Sequence, residues 1–149
     1  MAEVFPYSRF SSRPDTPPAK AFPRGHDNHL PLADLKLRFG RATSPLLKVL
    51  VDTGSAYCVF GLDTAGILGI NVRSGNLRKG ICGIGGASVD LYFFTIELVM
   101  NTIVVDCYAG FLDHNYPGNH IWVGLLGEYD FLTKMPVNFD APALRFTIG

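Results

Sequence analysis

The sequence predicts a mostly β fold, either a barrel or a sandwich of short strands. Short segments in which apolar and polar residues alternate are separated by turn residues about every ten positions. Only two segments have helical spacing, and both are brief. At 149 residues, 48% of them hydrophobic, the chain has the size of one domain with a single core.

The first 31 residues differ in composition from the rest. They contain six of the ten prolines and show no apolar periodicity, so residues 1–31 are predicted to form an extended, proline-rich arm or linker. From Leu32 the segment LADLKLRF alternates as a half-buried strand does. The folded domain is therefore predicted to span residues 32–149.

The next elements follow in order along the chain. LLKVLVD is predicted as a strand, and TGSAYCVF as a turn that leads into another strand. Residues 61–70, GLDTAGILGI, have the spacing of a short helix closed by Gly69. VRSGNLRKG is interpreted as a polar connection.

The second half of the chain continues the pattern of strands and turns. ICGIGGASVDLYFFTIELVM indicates a glycine-rich hairpin tip followed by a long strand, and NTIVVDCYAGF indicates the next strand. After the turn-rich loop LDHNYPGNH, the predicted elements are the strand IWVGLLG, the short helix EYDFLTKM and the closing hairpin VNFDAPALRFTI.

Charge and cysteine content limit the possible partners. Thirteen basic and thirteen acidic residues give a formal net charge of zero, so neither nucleic acid nor a membrane is an expected partner. Three widely spaced cysteines form neither a disulfide framework nor a zinc motif, which favours free thiols in a reducing compartment. Because no signal peptide or membrane span is evident, we expect a cytoplasmic protein, and a piece of a larger polyprotein would look the same.

An ionisable residue ends the apolar strand LLKVLVD. A carboxylate in that position costs several kcal/mol unless it is hydrogen-bonded, paired or shares a proton. Thr53 and Gly54 follow Asp52, so the backbone can turn sharply and offer N–H groups to the carboxylate. The alternative is an aspartate that merely caps its own turn, which is common in β proteins.

Three segments together resemble the retropepsin-like aspartic proteases. They are Asp52-Thr53-Gly54-Ser55, then the hairpin tip Gly83, Ile84, Gly85 and Gly86, and finally Leu125-Leu126-Gly127 before a short helix. The resemblance covers about residues 32–149. It departs from the family at one point, because Glu128 and Tyr129 both precede Asp130 where the family usually has a single residue before an Asp or Asn.

The resemblance implies a closed β-barrel with a glycine-rich flap, and an endopeptidase that needs no metal or organic cofactor. Asp52 would be the catalytic acid and base, with Thr53 and Gly54 completing its loop. Ser55, Gly83, Ile84, Gly85 and Gly86 would contact an extended peptide or polyprotein substrate, which would be cut between large apolar residues. The Phe5-Pro6 and Phe22-Pro23 bonds resemble junctions that viral relatives cut, so the arm is a candidate for self-processing.

Peptide hydrolysis by this route needs two carboxyl groups that share one proton. The chain holds one Asp-Thr-Gly, and no other aspartate of the domain lies in a matching loop. The second carboxyl group is therefore expected from a second copy, in a two-fold symmetric homodimer.

Other functions remain open on the sequence alone. The same fold could serve as a catalytically inactive dimerisation or peptide-binding module, or the barrel could bind a small molecule. A phosphate loop at residues 83–86 is disfavoured because a strand, not a helix, follows it. The four histidines lack ligand spacing, and Cys58 has no histidine placed to activate it, so solvated loop histidines and a packed thiol are preferred.

Overall fold

The computed structural model describes residues 2–9, 18–83 and 86–149. In these ranges the chain forms strands joined mainly by short turns. They are β1 (Glu3–Pro6), β2 (Ser8–Arg9), β3 (His29–Leu30), β4 (Leu32–Phe39), β5 (Ala42–Thr43), β6 (Leu47–Val51), β7 (Val59–Phe60), β8 (Asn76–Cys82), β9 (Ser88–Val99), β10 (Val104–Phe111), β11 (Gly124–Leu126), β12 (Val137–Asp140) and β13 (Arg145–Ile148).

The main sheet closes on itself as a barrel. Its strand order is β5-β4-β6-β11-β7-β10-β9-β8, and an additional pairing joins β4 to β9. Six strands, β4, β6, β11, β7, β10 and β9, therefore form a closed ring, and the hairpin of β8 and β9 extends from it. The barrel, rather than a sandwich, is the correct one of the two predicted architectures.

The barrel interior is filled by alternate side chains of its strands, as the period of two requires. On β4, Leu35 and Leu37 are fully buried, whereas Lys36 between them is exposed. The largest fully buried side chains are Phe60, Phe111, Phe131 and Phe146. This core supports the end of β6, where the strand delivers Asp52 to the surface.

The helices are few and short, as predicted. Helix α1 spans Leu62–Ile67, and Gly69 just beyond it has φ of +68°, a left-handed conformation that favours glycine at a helix end. A 3-10 turn covers Val72–Ser74, and a distorted π-helical turn covers Glu128–Leu132.

The prediction of a polar connection at VRSGNLRKG was wrong over its second half. Residues from Asn76 onward form β8, which pairs with β9. β8 lies at the sheet edge and most of its side chains are exposed, so no buried face imposes the alternation by which a strand is recognised. The predicted strand IWVGLLG is also shorter in the structure, where pairing is confined to Gly124–Leu126.

The start of the N-terminal arm packs against the folded domain. β1 pairs antiparallel with β13, which also pairs with β12, so the three strands form a separate sheet. Phe5 is only 7% exposed, and its ring stacks on that of Phe146 at 5.2 Å. Residues 3–6 are extended and packed on the domain through β13. One buried side chain in this strand leaves no periodic signal in the sequence. A boundary at residue 32 stays a prediction.

Two further features of the described residues bear on the sequence predictions. None of their helices is both long and apolar enough to cross a membrane. Cys58, Cys82 and Cys107 are free thiols; Cys58 and Cys107 are buried, whereas Cys82 is exposed.

Candidate active site

Asp52 lies directly after β6, at the point where the buried strand leaves the barrel. Its backbone N–H donates to the carbonyl oxygen of Leu126 at 2.9 Å, which continues the parallel pairing of β6 with β11. The side chain is half-buried, and its Oδ1 accepts a hydrogen bond from the N–H of Gly54 at 2.9 Å. The loop therefore supplies a backbone donor to the carboxylate, as the sequence predicts.

The turn after Asp52 is tight. The Ser55 N–H donates to the Asp52 carbonyl oxygen at 3.1 Å, and a Cβ added at Gly54 would lie 3.2 Å from Asp52 Oδ1. A larger residue at position 54 would crowd the carboxylate. Thr53 and Gly54 are exposed beside it, and the Ser55 hydroxyl donates to the Tyr57 carbonyl oxygen at 2.7 Å. Ser55 therefore braces the loop rather than pointing freely to solvent.

A second backbone segment holds the Asp52 loop from behind. The N–H groups of Glu128 and Tyr129 donate to the carbonyl oxygens of Ser55 and Ala56 at 2.8 and 2.9 Å. Gly127 in this second segment lies close to the first, and its N–H donates a hydrogen bond to the buried Cys58 Sγ at 3.3 Å. The Leu125-Leu126-Gly127 piece is thus a structural support of the Asp52 loop.

The helical turn after Gly127, where two residues instead of the family's usual one precede the aspartate, contains a kink. Tyr129 is extended, with ψ of 125°, and Asp130 adopts φ of +66°, which is uncommon for a residue other than glycine. Asp130 is held there because its carboxylate accepts from the Tyr108 N–H at 2.6 Å and pairs with Lys134 Nζ at 2.7 Å. These contacts raise the pKa of Lys134, chiefly through the hydrogen bond to Asp130.

The glycine-rich hairpin lies between β8 and β9. Cys82 pairs with Ser88, and the Gly83 N–H donates to the Ala87 carbonyl oxygen at 3.2 Å. Gly86 has φ of +80°, a value that favours glycine in a tight turn. Ile84 and Gly85, which the sequence also predicts in the flap, lie outside the described residues.

Tyr116 faces the Asp52 environment, although sequence reasoning did not select it. It lies in the 112–121 loop, where its N–H donates to Asp63 Oδ1 at 3.3 Å. Burial raises the pKa of Tyr116, the hydrogen bond from Trp122 acts in the opposite direction, and the negative charge of Asp52 raises the pKa further. The negative charge of Asp52 therefore acts on the Tyr116 phenol.

Several aromatic residues beside the loop were also missed. Tyr57, Tyr129 and Phe93 belong to no motif that the sequence analysis assigned to the site. In the structure the Tyr57 ring lies 5.4 Å from that of Phe93 and 6.3 Å from that of Tyr129, measured between centroids. Their proximity arises from the meeting of β9, the Asp52 loop and the kinked turn, so local sequence contains no signal for it.

The residues considered for other chemistry do not assemble into a site. Within the described part of the chain, no three His, Cys, Asp or Glu side chains are grouped so that they could hold a metal ion. Cys58 is fully buried, and a hydrogen bond with Cys58 together with burial raises the pKa of the neighbouring Cys107 thiol. Cys58 is therefore a packed thiol, as predicted.

Comparison with known proteins gives matches at the level of structure. No protein-family model and no curated sequence matches the chain. A retropepsin-like aspartic protease from Rickettsia conorii superposes with a TM-score of 0.55 at 12% identity, covering 99% of this chain and 92% of its own. The EIAV protease complexed with the inhibitor HBY-793 superposes with a TM-score of 0.50 at 21% identity, covering 70% of this chain and 86% of its own. This chain has the fold of the retropepsin-like aspartic proteases.

Proposed function

We propose that this protein is an aspartic endopeptidase that acts as a homodimer, with one Asp52 from each subunit. The observation that supports this best is the Asp52 loop itself. A half-buried carboxylate is held by the Gly54 N–H, and the loop is clamped by the backbone of residues 126–129. A carboxylate held in a fixed orientation suits acid and base catalysis on a bound peptide.

The chemistry requires the two Asp52 carboxyl groups to hold one proton between them. The ionised carboxylate takes a proton from a water molecule while the water oxygen attacks the peptide carbonyl carbon. The protonated carboxyl group gives its proton to the carbonyl oxygen, which forms a gem-diol intermediate. The C–N bond of the gem-diol intermediate then breaks: one carboxyl group gives its proton to the leaving amine nitrogen, and a gem-diol hydroxyl returns a proton to the other carboxylate as the carboxylic acid forms, so the pair again holds one proton. No covalent enzyme intermediate and no cofactor takes part.

The remaining site residues have supporting roles in this proposal. Thr53 and Gly54 fix the Asp52 loop. Ser55 braces the residues that follow, because its hydroxyl donates to the Tyr57 carbonyl oxygen. Gly83, Ile84, Gly85 and Gly86 would form the flap over the substrate, because glycines permit close backbone approach and opening of the hairpin tip. Apolar pockets on both sides of the cut would favour large apolar residues.

The first test replaces Asp52 with asparagine. Asp52→Asn should keep the fold by circular dichroism and lose about 10²–10⁴-fold or more in cleavage of an apolar peptide library. Asp106→Asn is the matched control, because Asp106 is exposed on β10 far along the chain from the loop. Full activity of the Asp52→Asn protein would refute the assignment.

The second test asks whether both carboxyl groups are needed. When wild-type chains are mixed and re-equilibrated with a threefold excess of Asp52→Asn chains, activity per wild-type chain should fall to about one quarter if only pure wild-type dimers work. The same excess of Asp106→Asn chains should not inhibit. Unchanged activity per wild-type chain in the Asp52→Asn mixture would exclude a shared dyad.

The pH profile provides an independent check. Because the pair must hold one proton, activity should peak below neutral pH and fall on both sides. A flat profile from about pH 4 to about pH 9 would argue against the dyad. Peptide binding without cleavage at any pH would instead support the second candidate, an inactive peptide-binding module of the same fold.

A further inference from the structure

A groove beside the Asp52 loop combines aromatic walls with unpaired hydrogen-bond donors. Its volume is about 320 Å³. It lies between the strand that leads into the flap, β8, and the segment that follows the Asp52 loop. Its lining includes Tyr57, Asn76, Arg78, Phe93, Tyr108 and Tyr129. We refer to this feature as the Arg78 groove.

The floor of the Arg78 groove is a connected aromatic cluster. The rings of Phe93 and Tyr108 stack at 5.0 Å, and Tyr108 meets Tyr129 edge-on at 6.5 Å. Tyr57 contacts both Phe93 and Tyr129, and its own carbonyl oxygen accepts the Ser55 hydroxyl hydrogen bond. Tyr57 therefore connects the floor of the groove to the Asp52 loop.

The polar groups at the rim are donors. The Arg78 guanidinium lies over the Tyr57 ring, 5.7 Å from its centroid. Asn76 Nδ2 donates to the Tyr108 hydroxyl oxygen at 3.0 Å, which leaves the hydroxyl proton of Tyr108 available for another acceptor. Across the residues that the structure describes, no carboxylate lies within 4.0 Å of Arg78.

An acidic residue also lies in this region, but it lines a different depression. Glu128 lines a separate depression of about 230 Å³ that shares Tyr57 and Tyr129 with the groove. Arg78 is exposed and its guanidinium lies over an aromatic face, and among the described residues it has no carboxylate partner. An occupant with a negative charge and a short apolar stem would satisfy both the cation and the rings.

We propose that the Arg78 groove selects substrates that carry a glutamate near the scissile bond, with its methylenes on the tyrosine rings and its carboxylate on Arg78. This inference rests on the proposed function, since it takes the occupant to be part of the cleaved peptide. Arg78 is a specificity-determining residue in this account and does not contact the reacting atoms. A planar guanidinium can bind the carboxylate through two parallel hydrogen bonds.

The experiment compares matched peptides. In a peptide that the wild-type protein cleaves, each position flanking the cut is replaced in turn by glutamate or glutamine. At one position the glutamate peptide should be cleaved about fivefold better in kcat/KM, the effect of a partly exposed ion pair. The Arg78→Met variant, which keeps much of the side chain's apolar stem, should reduce that ratio to about one.

Two control variants separate charge recognition from a structural role. Lys79→Met removes the adjacent exposed cation of β8 and should leave the glutamate preference unchanged. Arg78→Glu should reverse the preference, so that a lysine peptide is cleaved better than its glutamine counterpart. A glutamate preference that persists in Arg78→Met, or that is lost equally in Lys79→Met, would overturn the proposal.

Failure of this inference can be distinguished from failure of the proposed function. Cleavage of every peptide pair at equal rates would refute the Arg78 selection and leave the protease assignment intact. Binding of the fluorescein-labelled peptides is also measured with the Asp52→Asn protein, which retains the groove. A further outcome is that the glutamate peptide binds more tightly than the glutamine peptide only when Arg78 is present, while the wild-type protein cleaves neither. That result would support the Arg78 selection and refute the protease assignment. If the peptides are neither bound nor cleaved, both the Arg78 selection and the protease assignment are overturned.

Discussion

Gly127 and Tyr57 approach so closely that a Cβ added to Gly127 would lie 2.3 Å from the Tyr57 carbonyl oxygen. The same Cβ would lie 2.7 Å from the Ser55 carbonyl oxygen. Both oxygens belong to the segment that carries the Asp52 loop, so the glycine permits the two backbones to hydrogen-bond. Position 127 therefore requires glycine because no side chain fits there, and not because of an unusual backbone conformation.

Gly127→Ala should displace the Asp52 loop and destabilise the protein. Because the obstructing atoms are backbone, relief requires the chains to separate, and we expect a loss of about 1–3 kcal/mol or more in the free energy of unfolding. Urea denaturation measures the effect. Gly66→Ala in α1 is the control: its Cβ would meet nothing within 4 Å, and alanine should stabilise that helix by about 0.5–1 kcal/mol. Equal stability of the two variants would contradict the close approach.

Phe5→Ala tests whether the start of the arm belongs to the fold. Phe5 is almost completely buried on Phe146, so truncation should cost about 3–5 kcal/mol in the free energy of unfolding. Val4 on the same strand is 64% exposed, and Val4→Ala should change stability by less than about 0.5 kcal/mol. If both substitutions were neutral in chemical denaturation, β1 would not be part of the stable structure.

Glu3 should make the attachment of β1 dependent on pH. Its carboxylate accepts hydrogen bonds from the N–H groups of Asn101 and Thr102 and from the Thr102 hydroxyl. Burial acts to raise the pKa of Glu3, but the hydrogen bonds from Thr102 and Asn101 prevail, so the pKa lies below its ordinary value. The stabilisation is then fully present above the ordinary glutamate pKa of about 4.3 and is lost as the pH falls through the lower folded-state pKa.

The test compares Glu3→Gln with wild type across that range. At neutral pH the variant should be less stable by under about 1 kcal/mol, because the site is partly exposed to solvent. The difference between the two proteins should shrink as the pH drops below about 4. Denaturant titrations at several pH values give the comparison, and a constant difference across this range would contradict the role of Glu3.

Tyr116 should report the charge of Asp52. Because the negative charge of Asp52 contributes to the raised pKa of Tyr116, Asp52→Asn should lower the pKa of this phenol. Phenolate absorbance followed against pH, with Tyr116→Phe subtracted to isolate the residue, measures the shift. Identical titration of Tyr116 in wild type and Asp52→Asn would show that the two groups are electrostatically independent.

The sequence was most informative where a local pattern has one physical meaning. LADLKLRF and the final strand RFTI alternate because one face of each is buried, and both are strands in the structure. β8 does not alternate because it is an exposed edge, and β1 buries only the side chain of Phe5, which gives no alternation. Both strands could be recognised only from their partners in space, β9 and β13.

The sequence by itself determined the β class, the short helices and the Asp52 turn, since alternation, glycine placement and hydrogen-bonding capacity act over a few residues. Only the tertiary structure decided that the sheet closes between β4 and β9, that Gly127 supports the Asp52 loop, and that Arg78 stands over Tyr57. Those relationships join segments tens of residues apart, and their geometry depends on how the whole barrel packs.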